Sequence, residues 1–187
     1  MMAPRMVPLV AHVEQIRGER GTDRVPDFDP TEAGVEARVL LLLEAPGPRA
    51  TRERGGSGFV SPDNNDATAE NMWWLLREAG VDRRSEVATW NVVPWYVGDD
   101  HRIRGVRVGD LDEARPYVEE LVTRLLPDLR VVLLLGRKAS KGWARLKLDV
   151  PSIEAPHPSP VNLNSRPDHR QLIRDALVRA RQGAGFG

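Results

Sequence analysis

Two short apolar runs constrain the fold of this chain more than any other feature: "VLLLL" from Val39 to Leu43 and "VVLLL" from Val131 to Leu135. Neither alternates with polar residues, so each suits a strand buried on both faces, as in a parallel sheet covered by helices. A third run, "EVATWNVVPW", is ended by Pro94, and a short "PSIEA" strand precedes the proline-rich stretch "APHPSPVNLN". Between the runs the spacing turns helical. Ala67 to Gly80 carries Met72, Leu75, Leu76 and Ala79 on one face, with Gly80 as the stop. Asp110 to Leu126 has acidic residues early and an apolar stripe of Val118, Leu121, Val122 and Leu125. "ASKGWARL" starts another helix, and Pro167 opens a closing one that runs to Gln182. Strands alternating with amphipathic helices predict an α/β fold around a mainly parallel central sheet. Residues 1–35, with stretches such as "RGERGTDRVPDFDP", are expected to form an N-terminal arm or loosely packed extension, and residues 36–187 the domain.

Composition narrows the function classes. No apolar run approaches the roughly 20 residues that cross a bilayer, and Met1 to Val13 lacks a signal-like apolar core, so a cytoplasmic protein with no membrane partner is expected. The chain has no cysteine, which excludes disulfides, thiolate zinc sites and cysteine-ligated iron–sulfur clusters. The formal net charge is +0, so any anionic partner must be met by local patches. Three clusters qualify, each equally readable as a solvated face: Arg49, Arg52 and Arg54; Arg102, Arg104 and Arg107; and Arg137, Lys138, Lys141, Arg145 and Lys147.

Open parallel sheets bind ligands beyond the carboxyl ends of their strands. The loops expected to converge there are "EAPGPRA", "NVVPWY", "GRKASKG" and "HPSPVN". In the last, each proline fixes its own φ and holds the preceding residue extended, which stiffens the backbone around His157 and Ser159. In the first, Gly47 permits an unusual backbone angle or close approach of a ligand, and Glu44 can take a proton or orient water. Asn91 lies in an otherwise apolar strand, where an unpaired carboxamide costs about 1–3 kcal/mol. It either holds a neighbouring loop or reads the edge of a nucleobase, for which its acceptor and two donors are suited. A lone His in a loop is more often structural than catalytic; the alternative for His157 is a fixed donor to developing negative charge. The glycines after Glu53 are not followed by Gly-Lys-Ser/Thr, so a phosphate-binding P-loop is absent. A G-x-S-x-G nucleophile turn is absent as well, which disfavours a small-molecule hydrolase.

Taken in order, "EAPGP", "GFVSP", "NVVPW", "LLGRKA" and "HPSPVN" resemble the motifs of the uracil-DNA glycosylase superfamily, most closely its GEAPG-type branch. The resemblance spans Arg38 to Gln182 and implies a three-layer α/β/α sandwich with a four-stranded parallel sheet. It implies a monofunctional DNA glycosylase that flips uracil out of DNA and hydrolyses its N-glycosidic bond, with no cofactor or metal, acting as a monomer on single- or double-stranded DNA. By the same resemblance, His157 stabilises the leaving base, Asn91 reads its edge, and Phe59 stacks on it. Ala45 and Gly47 belong to the loop that holds the attacking water, with Glu44 as its helper. Pro46, Pro158 and Ser159 pinch the DNA backbone, and Val161 or Leu163 wedges into the vacated stack; from the third basic cluster, Arg137 and Lys138 are expected to bind DNA. The chain departs from the branch at several positions. Without cysteines it has no cluster, Leu43 replaces the first glycine, Ala50 an acidic residue and Pro94 a lysine, and Ala45 stands where another branch has a catalytic aspartate. A nucleic-acid-binding module that lost the chemistry, or a glycosylase for other deaminated bases, are the competing expectations.

Overall fold

A computed structural model describes residues 2–98 and 104–187; Arg102 of the second basic cluster lies outside the described residues. The strands are β1 (Asp27–Phe28), β2 (Val39–Leu43), β3 (Phe59–Val60), β4 (Val87–Asn91), β5 (Val131–Leu135) and β6 (Ser152–Ala155). The α-helices are α1 (Val7–Arg20), α2 (Ala67–Glu78), α3 (Arg83–Glu86), α4 (Val108–Glu120), α5 (Arg137–Leu146), α6 (Pro160–Ser165) and α7 (His169–Gly183). The main sheet has the order β4-β2-β5-β6, parallel throughout, and β1 pairs separately with β3. No helix of the described residues is long and apolar enough to cross a membrane.

The unbroken apolar runs are explained by two cores. Leu40, Leu42, Ala88, Trp90, Val132 and Leu134 face a layer that includes α1, α4 and α5, while Val39, Leu41, Val87, Leu133 and Leu135 face α2 and α7. Alternate residues of each strand thus enter opposite cores, and both must be apolar. The helix expected from Asp110 to Leu126 begins at Val108 and, past its internal Pro116, finishes as a π-helical turn over Leu121–Leu125.

The N-terminal segment is a correction to the sequence reading. Far from a loose arm, it buries Met6, Leu9, Val13, Ile16, Val25 and Phe28 in the larger core. Its apolar residues are spaced among many charges, which hid them from a search for continuous runs. The physical need for this segment lies in β4, an edge strand whose outward backbone groups would otherwise be unpaired. Ala33 donates its N–H to the Val87 carbonyl at 3.0 Å, and the Glu32 carboxyl receives the Thr89 N–H at 2.7 Å. On the same edge Phe28 stacks on Trp90 with ring centroids 3.7 Å apart. Phe28→Ala should therefore destabilise the protein by about 3–5 kcal/mol in denaturant unfolding, whereas a detached arm would register almost no change.

Candidate active site

The parallel register carries the carboxyl ends of all four strands to one edge. Leu43 pairs with Asn91, and Leu135 with Ala155. Past the strands, Val92 donates to the Leu43 carbonyl at 2.8 Å and Val93 to the Glu44 carbonyl at 3.0 Å, so the "EAPG" turn is locked beside Asn91. Gly136 joins β5 to α5 with a φ of +97°, and it donates to the Ala155 carbonyl at 2.8 Å. A Cβ there would meet the His157 Cβ at 2.9 Å, so glycine is what admits the imidazole to this edge. From the other side Asn71 of α2 donates to the Pro158 carbonyl at 2.9 Å and fixes the "HPSP" loop against the helix.

The result is a cavity of about 310 Å³ between the sheet and the start of α2. Sites for drug-sized ligands run from about 300 to 1,000 Å³, so this one is at the small end and suits a single ring system. Ala45, Pro46, Gly47, Asn91 and His157 all line it. Gly47 has an ordinary extended backbone, φ −83° and ψ 174°, with no atom within 4 Å of where a Cβ would stand. Of its two expected uses, only close approach of a ligand remains. Asn91 is 3% exposed and its Nδ2 has no hydrogen-bond partner, although it lines the cavity. A buried amide N–H left in this state is costly.

His157 is only partly buried by area and sits where the cavity meets a second, open groove. The Ser159 N–H donates to its Nδ1 at 3.2 Å, so Nδ1 is the acceptor and the neutral ring carries its proton on Nε2. Burial pushes the imidazole below its ordinary pKa, opposed by the Glu44 carboxylate nearby. Glu44 lines the groove and not the cavity, and its Oε1 accepts the Val106 N–H at 3.2 Å. The groove, about 1010 Å³, also presents Arg137, Lys138, Lys141, Ser159 and Arg166.

Several expected residues stand apart. Phe59 does not line the cavity: in the two-residue β3, Val60 takes the cavity face and Phe59 the opposite one, with the Arg52 guanidinium 5.9 Å from its ring. Among the described residues no phenyl, phenol or indole ring lines the cavity; apolar faces come from Pro46, Pro62 and Met72. Pro158 is buried. Lys138 donates to the Val106 carbonyl, which removes it as a free cation, while Arg137 and Lys141 lie one turn apart on α5. Of the two wedge residues, Val161 is 80% exposed and Leu163 packs against the core that contains α2 and α7. Ser61, Asn64, Asp66 and Thr89 also line the cavity. Sequence reasoning missed them; only the position of Thr89, two residues before Asn91 on one strand face, could have signalled its place.

A family model for the uracil DNA glycosylase superfamily matches residues 30–178. The chain belongs to that superfamily. No curated protein sequence matches it significantly. The match begins within the segment that covers β4, so the superfamily region includes Glu32 as well as the four loops. DNA glycosylase membership accords with the parallel sheet flanked by helices and with a base-sized cavity at its carboxyl edge.

The lowered pKa gives the site a testable titration. Burial holds His157 below its ordinary pKa, so it should be neutral at neutral pH, with the proton on Nε2. Because its folded pKa is depressed, its contribution to stability is intact above the unfolded value and is lost as pH falls through the folded one. Nitrogen-detected NMR of the imidazole checks both; a protonated Nδ1 at neutral pH would contradict the assignment.

Proposed function

We propose that the protein is a monofunctional DNA glycosylase of the GEAPG type, lacking the iron–sulfur cluster, that removes uracil from deaminated DNA. The observation that carries this reading is that Asn91, whose buried Nδ2 has no hydrogen-bond partner, lines together with His157 a cavity of about 310 Å³. Cytosine presents an amino group and uracil a carbonyl oxygen at the same place; an amide N–H left free donates to the second and not to the first. As the N-glycosidic bond breaks, its electron pair leaves with the base, and the His157 Nε2–H donates to the base oxygen that becomes negative. A fixed donor of this kind is worth about 10²–10³ in rate. A neutral imidazole can fill this role because, with Nδ1 accepting from the Ser159 N–H, its Nε2 still carries a proton to donate. Water then adds to the sugar carbon, and the proton it loses ends on the base anion, leaving an abasic site and the neutral free base. In this reading Glu44 orients that water from the groove side, and its negative charge favours the electron-poor sugar.

The open groove takes the strand on which the base is carried. Arg137, Lys141 and Arg166 meet phosphates, with Pro46 and Ser159 at the mouth and Val161 filling the space that the base vacates. Phe59, turned to the other side of β3, leaves the cavity without an aromatic lid, and this favours a second reading in which other deaminated bases are also accepted.

Incubation with a labelled uracil oligonucleotide should release the base and leave an alkali-sensitive site. His157→Ala should lower kcat by about 10²–10³ while keeping the fold; no excision by the wild type, or full activity in the variant, would refute the reading. Replacing Arg137 and Lys141 by Ala should weaken DNA binding and flatten the slope of log affinity against log salt by about 1–2, as read by fluorescence anisotropy.

A further inference from the structure

Below Asn91 the cavity wall is made by Thr89, and behind Thr89 stands a buried carboxyl group that the mechanism above does not use. Thr89 and Asn91 are residues i and i+2 of β4, so their side chains share one face at a spacing of roughly 6.6 Å. Both line the cavity. A carbonyl oxygen placed between them has two lone pairs and can accept from the Asn91 Nδ2 and from the Thr89 hydroxyl together. Whether the hydroxyl has a proton to give is decided from behind. Glu32 is 1% exposed; its Oε2 receives the Thr89 N–H at 2.7 Å, and its Oε1 is hydrogen-bonded to the Thr89 Oγ1 at 2.7 Å, a contact in which the hydroxyl donates when the carboxyl is ionised.

We propose that Thr89 is a specificity-determining residue that donates its hydroxyl to a keto oxygen of the bound base, and that Glu32 is the positioning residue that directs this hydroxyl. The proposal rests on the base-binding reading of the cavity given above.

The direction follows from proton counting. When Glu32 is protonated, its O–H donates to the Thr89 Oγ1, and the threonine proton is turned to the cavity. When Glu32 is ionised it can only accept, so the threonine proton is drawn back and lone pairs face the ligand. Burial pushes Glu32 up to about 8, and the neighbouring Asp29 carboxylate adds to this, while the Thr89 hydrogen bonds and Arg83 oppose it. The ionisable groups facing the Glu32 carboxyl are Asp29 and Arg83, and Arg5 from the N-terminal segment donates to the Glu32 main-chain carbonyl at 3.0 Å. Arg83 stands 3.9 Å from Glu32, donates to Asp29 at 2.8 Å and is held from outside by Asp63 at 2.9 Å. Asp29 has further partners in Thr31 and in Ser61, itself on the cavity wall. With Arg83 and these hydroxyls close to Asp29, the proton is assigned to Glu32. Around neutral pH the cavity therefore shows a donor suited to keto bases, and above about pH 8 it shows an acceptor that repels them.

The test is the KM for a single-stranded uracil oligonucleotide between pH 6.5 and 9.5, measured with wild type, Thr89→Val, Thr89→Ser and Glu32→Gln. In the wild type KM should rise roughly 3- to 10-fold as pH passes about 8, the size of one hydrogen bond to a neutral group. A carboxamide in place of the Glu32 carboxyl cannot ionise, and it both accepts the Thr89 N–H and donates to the hydroxyl, so Glu32→Gln should hold KM low and flat with pH. Thr89→Val should raise KM at pH 7 by a similar factor with kcat little changed, and Thr89→Ser should restore it. Equal KM in Thr89→Val and wild type, or the same pH dependence in Glu32→Gln as in wild type, overturns the proposal alone. If Thr89→Val does not fold, the comparison of wild type with Glu32→Gln still decides. A wild type that excises no uracil at any pH overturns the base-binding reading, and this proposal with it.

Discussion

The in-register parallel pairing of β2 with β4 and of β5 with β6 is the constraint on which the rest of the molecule depends. A shift of one residue would move Asn91 to the opposite face of the sheet, into the core shared by Trp90, and would separate it from the "EAPG" turn. The register is enforced by apolar residues on both faces, since every residue of β2 and β5 has a defined core to enter. Two further hydrogen bonds from Val92 and Val93 carry the order past the sheet, into loops that would otherwise drift.

That order is used to hold polar groups where they are poorly solvated. Asn91 lacks a partner for its Nδ2, and Glu32 retains its proton to an unusually high pH. Each costs stability in the empty protein, and each is tolerable because the surrounding packing is dense on both sides of the sheet. The covering of the β4 edge by residues 27–33 links these features. The segment that completes the edge strand also brings Phe28 against Trp90 and Glu32 against Thr89. The covering of the edge strand and the support of the cavity wall thus draw on the same short piece of chain.

Much of this was legible in the sequence. The runs at Val39 and Val131 announced doubly covered strands, and the four proline-bearing or glycine-bearing loops converge as their positions implied. Asn91 and His157 were identifiable because a carboxamide in an apolar strand and an imidazole between prolines are locally out of place. What was not legible depended on direction or on distance. Phe59 belongs to a two-residue strand, too short for alternation to reveal which face it takes. Lys138 and Arg137 are adjacent basic residues, yet one is tied to a carbonyl 32 positions away. Glu32 sits in a charged segment whose buried spacing has no continuous run to mark it, and its partner Thr89 is 57 positions distant.

The central claim is that the free amide of Asn91 awaits a base carbonyl inside the cavity. A crystal structure with an oligonucleotide containing a uracil nucleotide whose glycosidic bond resists hydrolysis tests it directly. The account predicts an extrahelical uracil in the cavity, with a carbonyl oxygen within about 3.2 Å of the Asn91 Nδ2 and His157 at its other oxygen. A uracil bound elsewhere, or a cavity left empty beside bound DNA, would contradict it.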